Sequence, residues 1–384
     1  MSAKALLHNA LSDLERKVSH DPEQRPYIAL VAISHFDNDH ISGLVALLER
    51  FDVGDLLLPY IPLWQRLVIA FQANRRHSSR LTRFLLDPAA FIASIPEAGV
   101  RRILYVPAGG QSEDVPRDDE PTPSPGKSEE TREEYPSALE FDPIDLGELN
   151  PGNDLAKDTS QMSASAGKGI GIGVVRPGSA LVFAECWEFV PYNDAILAPR
   201  ATPSFIHRVT RLRNELLDGT RASRTAALDE LKRLYTSTFA GVPNHTNLIS
   251  LFLYAGPVGA ADIRCVHRRS VSCVPQPRKF NGGILYTGDG YLDTPGRFDA
   301  LLKALGAHRV ENVHGLQVMH HGSLHNWHAG LAKKIAPALS VFSSDPSHRR
   351  YRHPNAVVLA DFHSYRPLQA DKTNTVEWRM IYFR

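Results

Sequence analysis

One ten-residue stretch, Ser34-His35-Phe36-Asp37-Asn38-Asp39-His40-Ile41-Ser42-Gly43, limits the folds open to this chain more than any other. Tyr27 to Ile33 before it is apolar and rich in β-branched residues, which predicts a buried strand. Leu44 to Arg50 after it has the spacing of an amphipathic helix. His35, Asp37, Asp39 and His40 therefore crowd into one strand-to-helix loop. His35, Asp37 and Asp39 alternate, so an extended backbone turns them the same way, and His40 can face back from the helix start. Two imidazoles and two carboxylates at that density repel, or stay poorly solvated, unless a cation sits among them. The stretch reads as a cradle for a divalent metal. The alternative is an Asx-rich surface turn carrying two solvated histidines.

Four later stretches carry chemistry of the same kind. Gly283-Ile284-Leu285-Tyr286-Thr287-Gly288-Asp289-Gly290 is an apolar strand ending in a glycine turn that presents one carboxylate. Leu316-Gln317-Val318-Met319-His320-His321-Gly322-Ser323 is a strand ending in adjacent histidines. Asn247 opens the strand-like run to Tyr254, with His245 nearby. Leu339 to Asp345 reads as another strand, followed by Tyr351-Arg352-His353-Pro354. His325 and His328 read as exposed histidines of a short helix.

The first motif resembles the His-x-His-x-Asp-His signature of the metallo-β-lactamase fold, with Asp37 in place of the second histidine. That variant, with Thr287-Gly288-Asp289, His320-His321-Gly322-Ser323 and Asn247-Leu248-Ile249-Ser250, is similar to the hydrolase domain of competence DNA-uptake proteins (ComEC-like). The resemblance implies an α+β fold, a four-layer αββα sandwich, in one domain over residues 1–384. From their own composition, residues 44–100 read as a helical insertion and 108–166 as an acidic, disordered one or a lid that orders on binding. The resemblance implies two metal sites, one from His35, Asp37 and a bridging Asp289, the other from Asp39, His40, Asp289 and His320 or His321. Asp39, Asn247 and His353 are the residues read as catalytic. Asn247 would orient a water or phosphate, and His353 would protonate the leaving oxygen or hold a non-bridging one. Oxygen-rich ligation favours manganese, then zinc, with magnesium also open. The family's opening strand pair with an Asp-Val-Gly-x-Gly-like turn has no counterpart here. A different element in that part of the sheet, a start further upstream or a pared-down first sheet would each account for it.

Charge adds a substrate class. The chain carries a net charge of +1, yet between Gln111 and Ser160 15 Asp and Glu stand against 4 Lys and Arg, leaving 39 basic and 27 acidic residues elsewhere. A basic body suits a polyanion, and Arg75, Arg76, Arg80 and Arg83 form a basic run that contacts phosphates or is simply solvated. Three scattered cysteines, Cys186, Cys265 and Cys273, argue against a disulfide framework or a thiolate zinc site and favour a reducing cytoplasm. No window is apolar for the roughly 18 residues a membrane span needs. A metal-dependent phosphodiesterase or nuclease acting on DNA or RNA is the expectation. The alternatives are a small-molecule ester, lactone or phosphocholine hydrolase, and a component of a multi-protein defence or signalling assembly.

Overall fold

Continuous apolar runs rather than alternating ones build the first sheet. In the computed structural model, which describes residues 3–18, 24–36, 41–72, 79–108, 144, 154–166, 169–183, 186–195, 202–238, 249–258, 262–266, 282–347, 352–377 and 379–383, four strands lie in the order β1 (Tyr27–Ala32), β2 (Asp52–Pro59), β3 (Val100–Val106) and β4 (Gly171–Val174). All three pairings are parallel. Parallel neighbours need crossovers, and helices supply them. α1 (Ala3–Val18) precedes the sheet and α2 (Leu44–Leu48) links β1 to β2. α3 (Leu63–Gln72), α4 (Ser79–Leu86) and α5 (Pro88–Ala93) link β2 to β3, and α6 (Asp154–Ala166) precedes β4. β2 is buried on both sides: Leu56 and Leu58 join the helix-side core, and Leu57 joins a separate cluster.

The second sheet runs β12 (Pro367–Ala370), β11 (Leu339–Ser343), β10 (Val313–Gln317), β9 (Gly283–Tyr286), β7 (Ile249–Pro257), β6 (Trp187–Ala195), β5 (Leu181–Phe183). Its β9–β12 half is parallel and its β5–β7 half antiparallel. α7 (Pro203–Asp218) and α8 (Arg221–Thr238) connect β6 to β7, while α9 (Pro295–Leu305), α10 (Ala307–Glu311), α11 (Leu331–Ile335) and α12 (Ala356–Asp361) punctuate the parallel half. β8 (Asp262–Val266) and β13 (Arg379–Phe383) form a separate antiparallel pair. The fold is thus α+β, with one parallel and one mixed sheet.

Three apolar clusters hold it together. One packs Leu48, Trp64, Phe84, Phe91 and Leu231 on the first sheet. Another packs Phe298, Leu301, Leu331 and Val358 on the second. The third joins Leu57 and Leu104 of the first sheet to Leu251 and Leu253 of the second. Polar stitches complete the join. Asn193 Nδ2 donates to the carbonyls of Tyr60 (3.2 Å) and Val106 (2.8 Å), so β6 grips the carboxyl ends of β2 and β3.

Two expectations change. Residues 52–59, read as part of a helical stretch, form β2: the run Leu56-Leu57-Leu58 lacks helical periodicity and buries both faces. Residues 154–166, read with the disordered insertion, form α6, which buries Leu155, Ala156, Met162 and Ala166. Arg75, Arg76 and residues 109–143 and 145–153 lie outside the described residues. Arg80 and Arg83 are exposed. Among the described residues no helix is long and apolar enough to cross a membrane.

Candidate functional site

The carboxyl end of β1 delivers Ser34 and His35 to the seam between the sheets. Phe36 anchors this segment, fully buried edge-on to Phe84 with ring centroids 5.0 Å apart. From the second sheet, the Leu251 amide donates to the Ser34 carbonyl at 2.7 Å. The Thr287–Gly290 turn after β9 sits beside it. Thr287 Oγ1 donates to the Gln317 carbonyl (2.6 Å), and the His320 amide donates to the Gly288 carbonyl (2.9 Å), so the two turns are tied together.

These ties bring residues far apart in sequence onto one carboxylate. His35 Nε2 and His320 Nε2 each stand 3.6 Å from Asp289 Oδ2, and His321 Nε2 stands 3.8 Å from Oδ1. Asp289 is 5% exposed and His35 1%, whereas the His320 and His321 side chains retain 25% and 37%. Thus three of the expected ligand positions gather around the expected bridge, closed on the His35 side and open on the other. His320 and His321 approach opposite oxygens, so neither excludes the other.

The ring orientations say more than the distances. Asn326 is fully buried, and its Nδ2 donates to the carbonyls of Asp289 (2.9 Å) and Gly290 (3.2 Å). Its Oδ1 must then accept, and it faces His320 Nδ1 at 2.9 Å. His320 therefore carries its proton on Nδ1 and turns the Nε2 lone pair to Asp289. His321 Nδ1 donates to the Ser343 carbonyl, with the same consequence. Lone pairs aimed at a carboxylate repel it unless a proton or a cation lies between, and imidazoles that bind metals characteristically donate their other N–H in this way. Sequence reasoning missed Asn326, because nothing in its local pattern marks it. Asn326→Ala is expected to weaken divalent-ion affinity about 10–100-fold, measured by calorimetric titration of manganese. An unchanged affinity would deny Asn326 this role.

The backbone is strained where the histidines emerge. His320 (φ 43°, ψ 52°), His321 (φ 60°, ψ 16°) and Gly322 (φ 81°) are consecutive left-handed residues. A non-glycine residue there costs roughly 1–2 kcal/mol, and such outliers concentrate at functional sites. A Cβ on Gly322 would stand 2.7 Å from Pro354 Cβ and 2.8 Å from Phe342. The Asn355 amide donates to the Gly322 carbonyl at 2.9 Å and brings the neighbouring loop in. That loop places the His353 ring 6.0 Å from His320 and 6.3 Å from His321, stacked on the latter. Burial, then the His320 and His321 rings, hold the His353 imidazole below its usual range, so it is neutral at neutral pH.

Asp37, Asp39, His40, His245 and Asn247 lie outside the described residues. His325 is exposed as expected, on a short 3-10 turn. His328 is half-buried instead, its Nδ1 donating to the Leu292 carbonyl at 2.7 Å. Among the described residues no group of three or more His, Cys, Asp or Glu side chains is placed so as to hold a metal ion. By donor chemistry, the grouping of three imidazoles and one carboxylate suits a divalent cation. Separations of 3.6–3.8 Å are longer than hydrogen bonds and suit ligands that flank a shared centre. No family model matches the chain, and neither a curated protein nor a solved structure matches it.

Proposed function

We propose that the protein is a divalent-metal-dependent phosphodiesterase acting on nucleic acid, built as a four-layer αββα sandwich of metallo-β-lactamase type. The layering is supported by the three apolar clusters, which alternate helix on sheet, sheet on sheet and sheet on helix. The observation that carries the activity is the turning of three Nε2 atoms, His35 from one segment and His320 and His321 from another, onto the Asp289 carboxylate. His35, Asp37 and Asp289 would hold one ion; Asp39, His40 and Asp289, with His320 or His321, would hold the other. Manganese is preferred over zinc for such oxygen-rich ligation. Bound there, the ions would supply a water acidic enough to attack phosphorus and positive charge for the phosphoryl oxygens.

The chain's own residues bind and orient. Asn326 and the Ser343 carbonyl hold His320 and His321 in one tautomer, and the Asp289 carbonyl orients Asn326. His353, neutral and beside His320 and His321, donates a hydrogen bond to a non-bridging phosphate oxygen. Its lowered pKa supports the hydrogen-bonding role over protonation of the leaving oxygen. His353→Ala is expected to lower kcat about 10–100-fold, the worth of one hydrogen bond to a charged oxygen, and His353→Gln to recover most of that. Equal losses in both would make His353 the proton donor. The basic excess outside residues 111–160 supports a polyanionic substrate. Single- and double-stranded DNA and RNA with manganese test the whole reading. Cleavage that survives in an Asp39→Ala, Asp289→Ala double variant would overturn it.

A further inference from the structure

Among the described residues three arginines are buried almost completely, and two of them have every reason to be. Arg309 makes a bidentate pair with Glu188 (2.7 and 2.8 Å) and donates to the Leu305 carbonyl. Arg213 donates to Asp87 (2.9 Å), Gln161 (2.6 Å) and the Leu86 carbonyl. Arg66, on α3 and 1% exposed, is different: among the described residues its Nε and Nη2 have no hydrogen-bond partner. The nearest carboxylate, Asp158 Oδ2 on α6, stands 3.8 Å from Nη2 and instead takes the Tyr60 hydroxyl at 3.3 Å. The Tyr105 hydroxyl, on β3 and in the same core, is also buried with no hydrogen-bond partner among the described residues. It lies within the fields of Arg66, Asp87 and Asp158, and Asp87 is itself paired with Arg213. A buried guanidinium without acceptors is costly, and Nε with Nη2 is the edge of the fork that grips two oxygens of one anion.

We infer that Arg66, Tyr105 and Asp158 form a binding site for a protonated tetrahedral oxyanion, hydrogen phosphate, at the carboxyl edge of the parallel sheet. Ligands of open parallel sheets settle at that edge; Tyr60 directly follows β2, and Arg66 lies in the first turn of α3, the helix that comes next. Arg66 would take two oxygens and the Tyr105 hydroxyl would donate to a third. Asp158 accepts only from an oxygen that carries a proton, so it selects hydrogen phosphate over sulfate. The site needs none of the Asp289 cluster and does not rest on the proposed phosphodiesterase activity.

The test follows the thermal unfolding of the full chain in EDTA, in the wild type and in Asp289→Ala, so that phosphate bound to metal contributes nothing. Inorganic phosphate is expected to raise the midpoint saturably in both, and sulfate at equal ionic strength is not. Arg66→Gln should weaken phosphate binding at least about 100-fold, and Tyr105→Phe about tenfold, from the loss of hydrogen bonds to a charged group. Tyr105→Phe loses only an unpartnered hydroxyl from the ligand-free protein and is expected to fold. Asp158→Asn should let sulfate bind. Equal shifts by phosphate and sulfate in the wild type, or a phosphate-specific shift that persists in Tyr105→Phe and Arg66→Gln, would overturn the inference.

Discussion

If the proposed metal-dependent hydrolysis holds, Asp289→Asn is expected to lower manganese-dependent phosphodiester cleavage by about 10³-fold, from the several kcal/mol of charge stabilisation that a metal pair would supply, while leaving the metal-free protein as stable as before or slightly more so. The two halves of this result share one cause. Asp289 presents two anionic oxygens to three imidazoles, two of which turn lone pairs toward it because their Nδ1 protons are engaged by Asn326 and Ser343. Without a cation that arrangement is repulsive. An asparagine keeps the shape, removes the charge and offers N–H donors to those lone pairs, a change worth up to about 1 kcal/mol. With manganese present the order reverses. The wild type gains stability as the logarithm of free ion over its dissociation constant, and the variant gains little. Unfolding midpoints with EDTA and with manganese, beside the cleavage rate, read both halves. Activity within about tenfold of wild type would deny Asp289 its bridging place. Destabilisation of equal size with and without metal would make Asp289 a structural residue only.

What the sequence disclosed of this centre follows from how local each signal is. Asp289 and His320-His321 were legible because each closes an apolar strand with a glycine turn, and such a turn can only present what it carries to the sheet's edge. The convergence of His35 with them was legible only through the resemblance, since 254 residues separate His35 from Asp289. Asn326 was not legible: it acts through carbonyls of a different strand's turn, and no spacing rule reaches that far. Nor was the left-handed backbone at His320 and His321, for which Gly322 was the sole local hint. β2 was misread because a short apolar run has no period to separate strand from helix; its parallel partners decide it. α6 was misread because acidic composition was weighed above four apolar residues on one face. Nothing in the local pattern marks Arg66, and its near-complete burial is a property of the tertiary fold alone.

Gly288→Ala is expected to destabilise the fold by about 2–4 kcal/mol, combining the left-handed penalty with overpacking, and to remove activity with it. Gly288 has φ +50°, and a Cβ built there would stand 2.5 Å from Ser34 Cβ and 3.0 Å from Ser250 Oγ. Neither neighbour yields easily. The Ser34 carbonyl accepts from the Leu251 amide, and Ser250 Oγ reaches the Thr287 carbonyl, so both belong to the join between the sheets. Relief requires the Ser34–His35 segment to part from the Asp289 turn, which opens the 3.6 Å approach of His35 to the carboxylate. Gly296→Ala is the matched control: it lies in the first turn of α9 with nothing within 4 Å of a built Cβ, and is expected to stabilise by roughly 0.5–1 kcal/mol. Ser34→Gly removes the atom that the added methyl would strike. In a double-mutant cycle by chemical denaturation it should recover about 1–2 kcal/mol of the Gly288→Ala loss, leaving the backbone penalty behind. Additive effects of the two substitutions would mean that the sheets do not meet at Gly288, and the route by which β1 delivers His35 to Asp289 would fail with that contact.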